Sequence, residues 1–441
     1  MTAHFKRALG PFDATMVVVG GIIGAGIFLS PGVVAQRLDT PLLVLAAWVA
    51  GGAIALAGAF SYAELGAIFP KAGGQYNYLR DGLHPLAGFL YGWALLLVIE
   101  TGAIAAVAII FASYALRIAG GPASAQVPLA IAAIVLLSIV NYLGVKPGSR
   151  VLNVLVVLKV AALAILVGAG FVAAGHPGWF ADARATAPGS GSTIVAFGAA
   201  MVPILFSYGG WQSANYVGEE IADPQRNLPR ALIAGTLAVV AIYVTVNVVY
   251  LRALGLEGLA QSGAPAADAA RQTFGRYGDL FVSSAIAVST FGFLNLSILA
   301  PTRVYYAMAA DRVFVPALST LHPRYATPSV AIAVQSAWAC VLALSGSYDA
   351  LTNYVVFADW IFFGLTVLTV LMFRRSLPLS QRPAGAYRAP GYPVVQIAFV
   401  LIAAAVVASV VIAAPGAAAK GAALIALGVP VYFWYARHAA P

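Results

Sequence analysis

The stretch Val19–Phe28, with the sequence VGGIIGAGIF, places four glycines in the middle of the first apolar segment that is long enough to cross a membrane. A continuous helix is expected at such a place, and the glycines predict that this helix is broken near the bilayer centre. Lipid cannot satisfy free backbone N–H and C=O groups, so non-helical backbone at that depth must be packed in protein or line a wet cavity. The stretch therefore predicts a site that can hold a charged solute.

The composition is that of an integral membrane protein. The 441 residues are 61% hydrophobic and only 9% charged, against roughly 25% charged residues in soluble domains. Apolar stretches of ~20 residues or more predict an all-α protein with about twelve membrane-spanning helices. These spans are expected at about residues 12–36, 41–69, 84–118, 127–144, 150–174, 193–221, 229–254, 280–310, 328–346, 350–373, 394–414 and 418–436.

The net charge of +9 does not indicate a nucleic-acid partner, because the basic residues lie mostly in short loops between spans, where they set topology. About 15 of the 24 basic residues fall on one side, which predicts that both termini are cytoplasmic and that the protein lies in the plasma (inner) membrane. The single cysteine, Cys340, lies in an apolar stretch. We therefore expect no partner that is linked through a disulfide bond.

A second interruption is predicted in the sixth span. Phe206-Ser207-Tyr208-Gly209-Gly210-Trp211 is followed by a polar run that ends at Glu219 and Glu220. Breaks in the first and sixth spans are typical of a five-plus-five inverted repeat with a binding site at mid-membrane. The repeats would be residues 12–174 and 193–373, followed by two extra helices at 394–436, in one transmembrane domain. The alternative is that the glycines serve only close helix packing.

Several segments resemble the amino acid, polyamine and organocation transporter superfamily. The resemblance is carried by Val19–Phe28, by Phe206–Trp211 with Glu219–Arg230, by Tyr62–Gly74 and by Tyr387–Pro393, and it extends over nearly the whole chain. The sixth-span signature is similar to that of the L-type amino acid transporter branch. The resemblance implies a leucine-transporter-like fold and transport of amino acids by alternating access, with no enzymatic activity.

An amino acid is a zwitterion, and a broken helix offers partners to both of its ends. The half-helix after the first break presents free N–H groups and its positive dipole end to the carboxylate, which we assign to Gly24, Ala25 and Gly26. The half-helix before the break ends in free carbonyls that suit the ammonium. The candidates there are Gly20, Gly21 and Ile22, together with Phe206 and Ser207 of the sixth span.

The resemblance also implies an aromatic lid and a side-chain pocket. Phe206 would close over the substrate, and Gly209 would leave room for its side chain; the alternative is that Phe206 only packs against lipid or another helix. The expected pocket residues are Val98, Ile99, Trp211, Gln212 and Ser213. Because no obvious buried acid or cation lies near the sixth-span break, we expect neutral amino acids as substrates.

Lys159 is the most informative charge within a span, because a buried lysine costs a few kcal/mol unless it is partnered or neutral. Relatives with a lysine in the fifth helix place its ammonium where sodium-coupled members of the fold bind a cation. The resemblance thus implies sodium-independent transport, with Lys159 as a fixed cation or as a proton carrier. The alternative is that Lys159 snorkels to the inner surface.

Six other ionisable residues lie near or within spans: Glu64, Glu100, Glu219, Glu220, Asp359 and Arg303. Glu64 and the Glu219–Glu220 pair are expected near the inner ends of their helices, in a network with Lys71, Arg226, Arg230 or Arg303 that either gates the site or only sets helix ends. Glu100 lies deeper in the third span, where it would carry a proton or simply bond to a neighbouring helix. The five histidines show no metal-ligand spacing, and we expect neither a metal site nor a cofactor.

The sequence therefore predicts sodium-independent exchange of neutral amino acids as the leading function. Two alternatives remain open: proton-coupled uptake of amino acids, and a sensor that binds an amino acid without moving it.

Overall fold

The computed structural model describes residues 5–173, 175–181, 193–345, 348–383 and 385–438. In these ranges the regular structure is helical, apart from one isolated bridge between Leu9 and Ile221. The α-helices are α1 (Pro11–Ile22), α2 (Gly26–Arg37), α3 (Pro41–Ile68), α4 (Gln75–Gly82), α5 (Pro85–Ala94), α6 (Glu100–Ala119), α7 (Gln126–Tyr142), α8 (Val145–Val172), α9 (Thr193–Tyr208), α10 (Ser213–Tyr216), α11 (Pro224–Gln261), α12 (Pro265–Phe274), α13 (Gly278–Leu299), α14 (Thr302–Ala310), α15 (Ser329–Ser345), α16 (Tyr348–Ser376), α17 (Val394–Ala413), α18 (Pro415–Ala426) and α19 (Gly428–His438).

The helices agree with the predicted membrane spans. Among the described residues, ten helical segments are long and apolar enough to cross a membrane, and the bent pair α1–α2 makes an eleventh. The predicted ninth span corresponds to a shorter apolar helix, Ser329–Leu344. Proline opens α1, α3, α5 and α11, a position where its missing N–H leaves no intrahelical bond unmade. The all-helical membrane architecture is therefore confirmed.

Both predicted helix breaks are present. The first span stops at Ile22 and resumes at Gly26 with a bend of 40°. The sixth span stops at Tyr208, and a short helix resumes at Ser213. The breaks are narrower than the sequence indicated: Gly20, Gly21 and Ile22 complete α1, and Phe206 and Ser207 form the last turn of α9.

The predicted spans leave 174–192 and 255–279 as the longest connecting loops, and the second of these is wrong in its details. Helix α11 continues to Gln261 through a kink at Gly255, whose φ of 67° lies in the left-handed region. The short amphipathic helix α12 then fills most of the remaining segment and buries its alanine-rich face against α11, α13 and α8. In the other long predicted loop, 174–192, residue 174 and residues 182–192 lie outside the described part of the chain.

A π-helical turn, Leu95–Ile99, joins α5 to α6 within the third span. Its wider winding shifts the direction in which the following side chains point, and such turns are frequent at functional sites. The Thr101 hydroxyl donates to the Leu96 carbonyl at 2.7 Å, and the Trp338 indole donates to the Leu97 carbonyl at 3.2 Å. Glu100 is the first residue after this turn.

Candidate functional site

A cavity lies where the two helix breaks meet α6, α13 and α16. Its volume is about 130 Å³, roughly ten times the 10–15 Å³ that one water requires, so it suits a small molecule. Most of its wall is apolar. The lining residues are Gly21, Ile22, Gly24, Ala25, Gly26, Leu95, Ile99, Glu100, Gly102, Ala103, Ala106, Val107, Ile110, Leu205, Phe206, Ser207, Gly209, Gly210, Gln212, Ser213, Phe293, Leu296, Ser297, Asp359, Trp360 and Phe363.

Free amide groups line the cavity at the first break. Gly24 N–H is already used, because it donates to the Ile22 carbonyl at 3.0 Å. Ala25 and Gly26 N–H have no backbone acceptor within the described chain. These two amides stand at the N-terminus of α2, where the helix dipole favours negative charge. The predicted anion site therefore has two free donors rather than the three that the sequence suggested.

Several carbonyls at the end of α1 are already in use. The Gly20 carbonyl accepts from Lys159, and the Ile22 carbonyl accepts from the Tyr243 hydroxyl at 3.0 Å. The Gly24 carbonyl accepts from the Ser289 hydroxyl at 3.1 Å. The three carbonyls predicted as cation acceptors are those of Gly20, Gly21 and Ile22. Among them, only the Gly21 carbonyl accepts no side-chain hydrogen bond from the described residues, and Gly21 lines the cavity.

The two breaks touch each other through glycines. A Cβ on Gly21 would lie 2.5 Å from the Gly210 carbonyl oxygen, a distance that real Cβ atoms do not adopt. Gly210 also has a φ of 110°, which side chains disfavour. A Cβ on Gly24, by contrast, would meet Phe293 at an ordinary 3.5 Å. Packing therefore explains Gly21 and Gly210, whereas a Cβ on Gly24 would make only an ordinary contact with Phe293.

Phe206 is one of the residues that line the cavity. It neighbours Ser207, which is buried against α2 through a hydroxyl contact to Ser30 at 3.0 Å. Gly209, Gln212 and Ser213 complete this side of the cavity. That Phe206 closes over a substrate stays a prediction.

Three predicted site residues do not line the cavity: Gly20, Val98 and Trp211. Gly20 packs against α8, where a Cβ would lie 2.8 Å from Val156. Trp211 is buried and stacks against Phe363 at 5.1 Å between ring centroids. Val98 is buried because the π-helical turn directs Leu95 and Ile99 to the cavity instead.

Lys159 is fully buried behind the first break. Its ammonium donates to the Gly20 carbonyl at 3.2 Å and to the Ile23 carbonyl at 2.5 Å. The Ser289 hydroxyl of α13 also reaches the Ile23 carbonyl, at 3.4 Å. The Lys159 side chain thus joins the first, fifth and eighth spans at the break, and the snorkelling alternative is wrong.

The cavity is closed on the side where α1 begins, which we call the terminal side. Arg303 and Glu220 form a bidentate pair, with distances of 2.7 and 3.2 Å, and both side chains are 1% exposed. Ala8 and Leu9 N–H donate to the Glu220 carbonyl at 2.9 Å, and Ala222 N–H returns to the Leu9 carbonyl at 2.9 Å. The segment before α1 is thereby tied to the end of the sixth span.

The two acids of the Glu219–Glu220 pair have different partners. Glu220 binds Arg303, a member of the predicted network, whereas Glu219 is half-buried and accepts only from Ala72 N–H at 3.1 Å among the contacts described. The difference arises because the short helical turn Gly218–Glu220 directs the two adjacent side chains to different sides.

Glu64 binds two arginines that the sequence did not suggest. Its carboxylate accepts from Arg374 at 2.8 and 2.6 Å, from Arg382 at 3.2 Å and from Ala389 N–H at 2.8 Å. Burial and the Glu64 carboxylate raise the pKa of the adjacent Tyr387 hydroxyl to about 12, so that it stays neutral. Glu64 therefore anchors the connection that follows α16, far along the chain from α3.

The sequence also missed one wall of the cavity. Asp359, Trp360 and Phe363 of α16 line it together with Ser297 of α13. Asp359 was visible only as an ionisable residue within a span, and no motif connected it with Glu100. Both carboxyl groups face the same cavity.

Comparison with known proteins agrees with this architecture. The family model for amino acid permeases matches residues 9–434. The chain therefore belongs to the amino acid permease family and is a membrane permease rather than an enzyme.

Two relatives illustrate the similarity. The chain is 31% identical to the serine/threonine exchanger SteT of Bacillus subtilis (strain 168) over 439 residues, which covers 99% of this chain and 98% of SteT. It is 32% identical to the large neutral amino acids transporter small subunit 2 of Homo sapiens over 434 residues, covering 97% of this chain and 80% of the relative.

Proposed function

We propose that this permease exchanges neutral amino acids across the plasma membrane without sodium, by alternating access. The observation that carries the proposal is the cavity at the meeting point of the two breaks, with the free amides of Ala25 and Gly26 on its wall. Such a cavity combines donors and acceptors for a zwitterion within otherwise apolar walls.

The substrate carboxylate would bind at the N-terminus of α2. Ala25 and Gly26 line the cavity, their N–H groups have no backbone partner within the described ranges, and the dipole of α2 adds positive potential. The ammonium would bind where α1 and α9 end, at the carbonyls of Gly21, Phe206 and Ser207, because helix C-termini favour cations. Phe206 would then close over the substrate.

Sodium independence is supported by the surroundings of Lys159. Its ammonium occupies the carbonyl cluster formed by Gly20 and Ile23, beside Ser289. A positive charge is therefore already held between the first, fifth and eighth spans, and a second cation there would be repelled.

Neutral substrates are supported by the relatives and by the cavity wall. One relative is named as an exchanger of serine and threonine, and another as a transporter of large neutral amino acids. Ala103, Ala106 and Val107 of α6 offer small apolar contacts to a side chain. The distribution of basic residues supports an orientation in which the terminal side is cytoplasmic.

Alternating access would require the terminal side to open. In the described conformation, that side is closed by the Arg303–Glu220 pair and by the Leu9–Ile221 bridge, and Phe206 lines the cavity. We infer that opening separates α1 from the loop after α10, within the two inverted repeats that the matched breaks predict. Cys340 lies within α15, which supports the absence of a disulfide-linked partner.

Counterflow in proteoliposomes tests this function. Vesicles would be loaded with unlabelled L-serine or L-leucine and given the radiolabelled form outside, in sodium or choline buffer. We expect transient accumulation of at least one label at equal rates in the two buffers, and none in protein-free vesicles. A strict requirement for sodium would overturn the sodium-independent mode, and lack of counterflow for every common neutral amino acid would overturn exchange itself.

A further inference from the structure

The cavity contains two acidic side chains and no basic one among the described residues that line it. Glu100 belongs to α6 and Asp359 to α16, so neither lies on a broken helix. Their carboxyl groups are close enough to interact electrostatically. Two carboxylates that face an apolar cavity without a counter-ion are costly.

The nearby buried cations already have partners. The Lys159 ammonium is bound by the carbonyls of Gly20 and Ile23 and is not part of the cavity wall. The Arg303 guanidinium is held by both oxygens of Glu220. Positive charge for Glu100 and Asp359 must therefore come from a molecule or a proton that enters the cavity.

The wall around the acids suits an organic cation. Trp360 and Phe363 line the cavity on the same helix as Asp359, and aromatic faces attract cations. The π-helical turn that precedes Glu100 is a local departure from α-helix at this place, and Ser297 also lines the cavity.

The acids are also separate from the groups that would bind the zwitterion. The carbonyls and amides of the breaks belong to α1, α2 and α9, whereas the acids belong to α6 and α16. An amino acid held by its charged ends at the breaks would extend its side chain away from them, toward the other helices of the cavity. A positive charge at the end of that side chain would meet Glu100 and Asp359.

We propose that Glu100, Asp359 and Trp360 form a subsite for a cationic side chain, so that the permease also accepts amino acids that carry a guanidinium or an ammonium group. This inference rests on the proposed function, because it presumes that an amino acid binds at the breaks. It widens the substrate range beyond the neutral amino acids that the sequence favoured.

L-arginine and L-citrulline are suitable probes, because they have nearly the same shape and differ in charge. Each would compete with the radiolabelled serine or leucine that gives counterflow, in sodium-free proteoliposomes of the full chain. We expect arginine to inhibit at a concentration about tenfold lower or more, as for close charge pairs. Radiolabelled arginine itself should show counterflow.

Two isosteric substitutions, Glu100→Gln and Asp359→Asn, remove the charges. Each should reduce the preference for arginine over citrulline, and the double variant should bring the ratio close to one. Asp279→Asn is the matched control, because this acid pairs with Arg117 at 2.6 Å far from the cavity, and it should keep the wild-type ratio. Thermal unfolding with and without serine or leucine shows whether each variant is folded. If the double variant does not fold, the preference of the wild-type protein for arginine over citrulline decides whether the subsite exists.

Three results would overturn the subsite. The first is counterflow of a neutral amino acid with no preference for arginine over citrulline. The second is a preference that survives in the folded double variant. The third is exclusion of arginine together with uptake of a neutral amino acid driven by a pH gradient, which would make the acids proton carriers only. Absence of any amino acid counterflow would instead overturn the proposed function, and the subsite with it.

Discussion

The two walls of the cavity are built in different ways. The break wall, residues 21–26 and 206–213, presents mainly backbone groups, and glycines bring its two parts into contact. The acidic wall, Glu100, Asp359 and Trp360, presents side chains from helices that are not broken at mid-membrane. Backbone groups are the same for every residue type, so the break wall suits what all amino acids share. Side chains suit what distinguishes one substrate from another.

The walls also differ in how they treat buried charge. Behind the break wall, Lys159 is satisfied by two carbonyls. The carboxyl groups of the acidic wall have no basic partner among the described lining residues. A buried charge that already has hydrogen-bond partners stabilises the folded structure, whereas a buried charge without an opposite charge can bind a charged ligand. We therefore expect changes in the break wall to affect every substrate and changes in the acidic wall to alter the ratio between substrates.

The largest effect is expected from Gly21→Ala. The new Cβ would lie 2.5 Å from the Gly210 carbonyl oxygen, and backbone cannot easily yield, so the cost should approach the upper end of about 1–3 kcal/mol for overpacking. We predict a loss of about a hundredfold in counterflow of every substrate. Gly24→Ala is the matched control, with its Cβ 3.5 Å from Phe293, and it should remain well within tenfold of wild type. Equal loss in both variants would show that contact between the breaks is not the cause.

The second effect concerns Lys159→Met. The carbonyls of Gly20 and Ile23 would lose their donor, and each buried unsatisfied group costs about 1–3 kcal/mol. Sodium-free counterflow should fall about tenfold or more for all substrates. Lys146→Met on the same helix is the control, because the Lys146 side chain is half exposed. Its ammonium makes only a long ion pair with the Asp13 carboxylate, at 3.7 Å. A variant of Lys159 with full sodium-free activity would contradict the role of a fixed cation.

These two predictions rest on features that differ in how far the sequence revealed them. The glycines of Val19–Phe28 and Phe206–Trp211 exposed the breaks because glycine is a local signal, and Lys159 stood out because charge is rare within spans. Glu64 could not be paired with Arg374 and Arg382, since such contacts depend on the fold. The π-helical turn at Leu95–Ile99 has no sequence signature, so the sequence did not distinguish Ile99, which lines the cavity, from Val98, which does not.

The acidic wall was missed for a related reason. The sequence contains Glu100 and Asp359 in different spans, some 260 residues apart, and nothing in either segment indicates that they face one cavity. The expectation of neutral substrates depended on the absence of an obvious buried acid or cation near the sixth-span break. The two acids line one cavity because the third span packs against the tenth.

The third prediction concerns opening of the cavity on the terminal side. Glu220→Gln would weaken its bidentate pair with Arg303, which closes that side. With Ser213→Cys as a reporter in a Cys340→Ser background, labelling by a membrane-impermeant maleimide from the terminal side should become about fivefold faster, a shift of about 1 kcal/mol. Glu219→Gln is the control and should leave labelling unchanged. Identical rates in the two variants would argue against the Glu220 pair as a gate.

The smallest effect is expected from Trp360→Leu in the acidic wall. Losing the aromatic face should reduce the preference for arginine over citrulline about threefold, within the ~0.5–2 kcal/mol of a cation–π contact. Inhibition by citrulline should change less than inhibition by arginine. A similar loss for both compounds would mean that Trp360 contributes only shape.

The central claim, that the two breaks bind the charged ends of an amino acid, is tested most directly by thermal unfolding of the purified protein in sodium-free buffer. The ligands would be L-serine, ethanolamine, which lacks the carboxylate, and N-acetyl-L-serine, which lacks the ammonium, each compared with the matching set from leucine. A ligand at 100 times its Kd stabilises the folded state by about 2.7 kcal/mol. We predict that at least one intact amino acid raises the Tm and that neither of its truncated analogues does. Equal stabilisation by an analogue that lacks either charged end would contradict the account.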